Sequence, residues 1–224
     1  MNTRFRDRTH AGRELARRLT RYAGRPDVVV MALPRGGVPV AYEVAQALEA
    51  PLDVLLVRKL GVPGHEELAM GAIASGGIIV LNQDVVRLAD IPRAMIERVA
   101  ARELEELRRR ERAYRDGSPV SEVHGKTVIV IDDGLATGST MRAAIQALRG
   151  RGAERVVVAV PTGSPDVCEE FETEADDVIC AATPEPFHSV GLWYDDFSQT
   201  TDDEVRDLLE RARRGRAAAE ESRR

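Results

Sequence analysis

The sequence predicts an α/β fold: a mostly parallel sheet with helices on both faces. Three observations carry that prediction. Residues 27–33 (DVVVMAL), 53–60 (DVLLVRKL), 128–131 and 155–160 are nearly continuous apolar runs of strand length, as strands covered on both faces are. Segments with apolar residues at helical spacing alternate with them. Loops containing glycine join several of the runs to the helices that follow.

The chain has 224 residues, enough for a full α/β core, and no internal repeat or linker divides it. Residues 1–210 are therefore expected as one domain, with 211–224 as a polar, disordered tail. Charged residues make up 31% and aromatics 4%, and the net charge is −5, which argues against broad nucleic-acid affinity. No apolar stretch approaches the ~20 residues that span a bilayer. The arginine-rich start lacks the apolar stretch of a secretory signal, so a cytoplasmic location without membrane partners is expected. Cys168 and Cys180 form neither a CxxC pair nor a zinc spacing with His, and they read as small core residues in a reducing compartment.

The elements follow in order. Residues 5–22 are the first helix, with Ala11, Leu15 and Leu19 four apart among arginines, ended by Gly24 and Pro26. That arginine face is either solvated or a packing surface for a second copy. The strand at 27–33 delivers Pro34, Arg35, Gly36 and Gly37, and a helix continues from Val38 to Leu48. A glycine pair opening a helix beside a guanidinium suits an anion. The strand at 53–60 ends in Arg58 and Lys59, placed where open α/β sheets bind ligands.

His65, Glu66 and Glu67 do not complete the zinc motif HExxH, because Ala69 stands in place of the second His. A short strand at 77–81 precedes a long helix at 92–115, whose Met95, Val99 and Leu107 form a broken apolar stripe. Its Arg108, Arg109, Arg110, Arg112 and Arg115 alternate with glutamates as an ion-paired, solvated face does. Gly117, Ser118 and Pro119 end it. After the strand at 155–160, the loop Pro161, Thr162, Gly163 and Ser164 opens a helix to Phe171, and 177–181 is the last core strand. Residues 184–197 hold the single tryptophan, Trp193, with Phe187, Tyr194 and Phe197, a cluster able to seal the core edge. Thr201 or Asp202 starts a final helix.

The densest chemistry lies at 128–141, VIVIDDGLATGSTM. An apolar strand runs into Asp132 and Asp133, then a loop with Gly134 and Gly138, then a helix whose Met141, Ile145 and Leu148 share one face. Ser139 or Thr140 can cap that helix. The glycines let the backbone approach an anion, the helix amides point at it, and Thr137, Ser139 and Thr140 add hydroxyl donors. Two carboxylates beside a phosphate cradle need another partner, and vicinal ribose hydroxyls or a divalent cation provide it. A sugar phosphate is the ligand this arrangement suits. The P-loop and the dinucleotide GxGxxG spacing are both absent.

The motif resembles the 5-phosphoribosyl-1-pyrophosphate (PRPP) signature of the type I phosphoribosyltransferases, and the resemblance extends from about residue 28 to 194. It implies that Gly134, Leu135, Ala136, Thr137, Gly138, Ser139 and Thr140 cradle the 5-phosphate, and that Asp132 and Asp133 hold the ribose hydroxyls and, indirectly, Mg²⁺. Pro34, Arg35, Gly36 and Gly37, with a non-proline cis peptide at Pro34–Arg35, would bind pyrophosphate together with Arg58 and Lys59. The implied catalytic set is Asp132, Asp133, Arg35 and Lys59. A mobile loop is implied within 61–77, with His65, Glu66 and Glu67 as candidates, and a small hood at 184–197 whose Phe187 or Trp193 stacks on a base beside Asp195. Ala136 departs from the 6-oxopurine enzymes, which carry an Asp there.

The implied activity is transfer of the phosphoribosyl group from PRPP to a nitrogenous base, purine-like by preference, in nucleotide salvage, by a homodimer. The alternatives are a PRPP sensor, able to use the 108–115 face on RNA, and a PRPP-pocket hydrolase.

Overall fold

The computed structural model describes residues 4–115 and 120–222. Its centre is a five-stranded, all-parallel sheet in the order β2-β1-β6-β7-β8. These strands are β1 (Val28–Ala32), β2 (Leu52–Val54), β6 (Thr127–Ile131), β7 (Arg155–Thr162) and β8 (Asp177–Ala182). β1 and β6 are buried along their whole length, which is what their unbroken apolar runs anticipate.

Two hydrophobic layers cover the sheet. Val28, Val30, Ile129 and Ile131 face α1 (Arg8–Arg18), α2 (Gly37–Leu48) and α7 (Asp202–Ser222) through Leu15, Val44, Leu48 and Val205. Val29, Met31, Val128 and Val130 face α5 (Ser139–Gly150) and α6 (Pro165–Phe171) through Met141, Ile145, Leu148 and Phe171. Alternate residues of each strand thus serve opposite layers. No described helix is long and apolar enough to cross a membrane.

The structure corrects several expectations. The strand expected at 53–60 breaks at Leu55 and Leu56. Leu55 N makes a last bond to Ala32 O, and Leu56 then pairs with Ser75, whose N donates to Leu56 O at 2.8 Å and whose hydroxyl accepts from Leu56 N. The chain there leaves the main sheet for a second, antiparallel sheet of β3 (Val57–Val62), β4 (His65–Ala74) and β5 (Ile78–Leu81). The expected mobile loop at 61–77 is largely the β3–β4 hairpin, its apolar LAMGAIA stretch forming most of β4. A short α3 (Gln83–Leu88) and the long α4 (Arg93–Arg115) follow. The expected stop at Gly117, Ser118 and Pro119 lies outside the described residues.

Arg115 is not solvated. It is 5% exposed, donates from Nη2 to Val54 O at 2.7 Å, and lies 3.2 Å from Asp53. Residues 211–222, expected as a disordered tail, continue α7, and Arg211 stacks on the Tyr42 ring. Thr201 caps that helix: its hydroxyl accepts from Glu204 N while Glu204 accepts from Thr201 N.

The cysteines are not separate core thiols. Cys168 of α6 and Cys180 of β8 form a disulfide across 12 residues, because packing α6 on the sheet brings the two Cβ atoms together. The small antiparallel sheet β3–β5 stands beside the main sheet as an additional layer. Residues 184–197 contain only a 3₁₀ turn (Val190–Trp193) and lie against the start of the chain, where Phe5 N donates to Trp193 O and Asp195 N to Phe5 O, each at 2.8 Å.

Candidate functional site

The site follows from a divergence of helices. β1 and β6 are neighbours, yet α2 leaves β1 toward one layer and α5 leaves β6 toward the other. A crevice opens between their carboxyl ends, the place where open parallel sheets take ligands. The motif 132–140 and the loop Pro34, Arg35, Gly36 and Gly37 both sit there.

They touch. Leu33 N donates to Ile131 O at 2.8 Å, and a Cβ on Gly37 would stand 2.6 Å from that same oxygen. A Cβ on Gly36 would lie 1.9 Å from Asp133 Oδ2, so only glycine lets the loop approach the acids. The Pro34–Arg35 peptide is cis, as the resemblance implied.

The motif loop is pinned in its middle. Leu135 is buried, its N donates to Thr162 O, and its O accepts from Ser164 N, each at 2.9 Å. Gly138, at φ +72°, is the N-cap of α5. The expected capping by Ser139 or Thr140 is absent, since both fall inside the helix, and no side chain of the N-cap bonds the first-turn amides. Those amides stay available to an anion. Thr137, Ser139 and Thr140 are exposed around them, with the hydroxyls of Thr137 and Ser139 3.3 Å apart, and Ala136 is exposed beside them. Val190 of the 3₁₀ turn lies against Gly134.

The two acids differ. Asp132 Oδ1 accepts from Asp133 N at 2.8 Å, and burial, then the neighbouring Asp133 charge, push its carboxyl well above the usual carboxylate range. Asp133 is raised by burial against the pull of Arg8, whose Nε donates to Asp133 Oδ2 at 2.8 Å. Buried Tyr194 donates its hydroxyl to Asp133 O at 2.6 Å, and burial and the Asp133 charge raise the pKa of that phenol. Among the described residues no group of three His, Cys, Asp or Glu side chains forms a metal cage. The donor set fits Mg²⁺ only in company with substrate oxygens, the usual way this ion is held.

The other expected residues are dispersed. Arg35 reaches α7, 3.7 Å from Asp202 Oδ1, an oxygen that also accepts from Tyr114 OH at 2.6 Å. Arg58 is bound through Nε and Nη2 to Glu103 of α4, at 2.9 and 2.6 Å. It still lines a cavity of about 40 Å³ with Pro34, Leu107, Arg110 and Thr140, between the two loops. Lys59, one residue on, alternates to the other face of β3 and is exposed, outside that lining.

His65 is exposed at the start of β4, and the side chains of Glu66 and Glu67 lie outside the described residues. Phe187 and Trp193 are half-buried and Asp195 is exposed. Sequence reasoning missed Arg8, Tyr194 and Arg110. The aromatic cluster pointed near Tyr194, whereas nothing in the arginine-rich first helix singled out Arg8.

Comparison with known proteins agrees with this geometry. The family model of the phosphoribosyl transferase domain matches residues 4–188. Proteins from two strains of Mycobacterium tuberculosis, CDC 1551 / Oshkosh and H37Rv, each named "Putative phosphoribosyl transferase", are 51% identical over 215 residues. The match takes in 96% of this chain and 48% of each of those proteins, so the chain spans about half their length. The crystal structure of TT1426 from Thermus thermophilus superposes with a TM-score of 0.83 at 45% identity, over 92% of this chain and 97% of that one. With the crevice, the paired loops and a domain match over most of its length, this chain belongs to the phosphoribosyl transferase domain family.

Proposed function

We propose that the chain transfers the 5-phosphoribosyl group from PRPP to a nitrogenous base, with a purine-like acceptor, and releases pyrophosphate. The observation that carries this reading is the contact of the two loops at the β1–β6 crevice, with Asp132 and Asp133 between them. The C1–O bond to pyrophosphate breaks, a C1–N bond forms to the base, and the base loses a proton. Positive charge develops on the ribose as the leaving group departs, so positioning and charge management dominate catalysis.

In this scheme the open amides of α5 and the hydroxyls of Thr137, Ser139 and Thr140 hold the 5-phosphate. Asp132 and Asp133 orient the ribose hydroxyls. The Gly36–Gly37 backbone meets the leaving group, and Arg110, itself paired with Glu106 at 2.8 Å, lines the mouth between Pro34 and Thr140. Mg²⁺, when bound, neutralises leaving-group oxygens. Arg58, whose charge is matched by Glu103, holds α4 rather than pyrophosphate. The proton acceptor for a purine lies outside Ala136, which has no titratable group. A homodimer acting in nucleotide salvage belongs to the same proposal.

The test is pyrophosphate release from PRPP and Mg²⁺ across a panel of purine and pyrimidine bases, with an Asp132→Asn/Asp133→Asn variant beside the wild type. Release that needs one base and disappears in the variant identifies the acceptor. PRPP binding without release from any base would replace the transferase by a sensor.

A further inference from the structure

Arg8 belongs to neither loop of the crevice, yet three segments meet at its guanidinium. Nε donates to Asp133 Oδ2 at 2.8 Å, and Nη1 donates to Ser198 O at 2.7 Å. The ring of Phe197 lies beneath it, 4.0 Å from guanidinium carbon to ring centroid. A Cβ on Gly36 would stand 3.3 Å from Nε, so the cation also abuts the backbone of the leaving-group loop. Its side chain is only 11% exposed and that of Asp133 16%. Arg13 on the same helix offers a contrast. Its ion pair with Glu43 is equally short, 2.8 Å, but its side chain is 59% exposed.

The chemistry of PRPP gives this convergence a purpose. The leaving group sits on C1 of the ribose, and the hydroxyls that a carboxylate would hold sit on the next carbons. A protein that fixes a carboxylate against the leaving-group loop therefore fixes the spacing between two neighbouring parts of one substrate. We infer that Arg8 is a positioning residue for phosphoribosyl transfer: by clamping Asp133 against Gly36, and itself against Phe197 and Ser198, it sets the distance between the ribose hydroxyl site and the leaving-group site. The inference rests on the transferase reading. It assigns the C-terminal segment a part in the reaction without any contact to the base.

The experiment compares wild type with Arg8→Gln, Arg8→Lys and Arg13→Gln, reading PRPP affinity by calorimetry with Mg²⁺, kcat and KM with the active base, and thermal midpoint. Arg8→Gln is expected to lose about 10- to 100-fold in kcat, the range a misplaced substrate costs, and to bind PRPP more weakly. Arg8→Lys, which keeps the charge but cannot span Asp133 and Ser198 at once, is expected to recover part of that loss. Arg13→Gln is expected to match wild type in kcat. Should Arg8→Gln fail to fold, Phe197→Leu retains both charges, removes the ring under the guanidinium, and is expected to lower kcat while leaving KM for the base unchanged.

A folded Arg8→Gln, or Phe197→Leu in its place, with kcat and PRPP affinity equal to wild type overturns the inference alone. Equal losses in Arg8→Gln and Arg8→Lys, tracking the thermal midpoint, reduce Arg8 to a structural role. A wild type that binds no PRPP overturns the transferase reading, and this inference with it.

Discussion

Gly138 and Phe171 are in contact across the junction of two strand–helix units: a Cβ on Gly138 would lie 2.4 Å from Phe171 Cε2. The phosphate cradle thus rests on the core of the neighbouring helix. Gly138→Ala has to relieve that overlap and a φ of +72° together, and the expected cost is about 1–3 kcal/mol. PRPP affinity should fall more than the melting temperature does, because the displaced backbone is the cradle itself. Calorimetric titration beside a thermal melt measures both, and unchanged affinity would contradict this placement of the 5-phosphate.

Asp132 links function to a stability penalty that grows with pH. Its pKa in the folded chain is raised by burial and by Asp133, so the folded state binds the proton more tightly than the unfolded state. Stability is therefore lost as pH rises from the ordinary carboxylate range through the raised value. Asp132→Asn should be more stable than wild type, by a margin larger near about pH 8 than near about pH 5, while losing PRPP binding. Thermal midpoints of both proteins across pH are the measurement, and a constant difference would count against it.

The Cys168–Cys180 disulfide closes a short loop between α6 and β8, next to the Phe171 that supports Gly138. Closing a loop of this size stabilises by about 3 kcal/mol on chain-entropy grounds. Melting with and without a dithiol reductant should separate the midpoints by several degrees, and Cys168→Ser/Cys180→Ser should reproduce the reduced value without responding to the reductant. Superposable melts would mean that the bridge adds nothing.

Arg58 and Glu103 form a pair in which the carboxylate is almost fully covered, and the guanidinium holds the Glu103 carboxyl below the usual range despite its burial. Arg58→Gln leaves that carboxylate without its main partner, at an expected cost of about 1–3 kcal/mol. Adding Glu103→Gln should restore most of the loss, and kcat should follow stability rather than PRPP affinity. A loss of affinity confined to Arg58→Gln, without destabilisation, would return Arg58 to the leaving-group site.

What the sequence made legible was local. The acid pair, the glycines and the strand-to-helix order of the motif occupy fourteen consecutive residues, 128–141, and neighbouring residues need no tertiary knowledge to be placed together. The loop at 34–37 was legible for the same reason. The departure of the chain at Leu55 and Leu56 was not, because an apolar run does not say which sheet it joins, and Ser75, which captures Leu56, lies 19 residues further on. The ion pair of Arg8 spans 125 residues and one arginine among many, so no periodicity could select it. Arg115 was misread because a buried guanidinium and a solvated one look alike in sequence; its partners Asp53 and Val54 O come from a strand about 61 residues away.

The start of the described chain is sewn to the segment above the acidic tip, residues 5 and 6 pairing with Trp193, Asp195 and Asp196 beside the Tyr194 bond to Asp133 O. The order of synthesis gives this a consequence. A nascent chain that has emerged only through β8 already carries both loops and both acids, yet the segment that braces Asp133 from above is still inside the ribosome. Completion of the crevice waits for the closing of one of the longest loops in the molecule, a slow kind of contact. Until that contact closes, Asp133 lacks the Tyr194 bond to its carbonyl and Arg8 lacks its bond to Ser198 O.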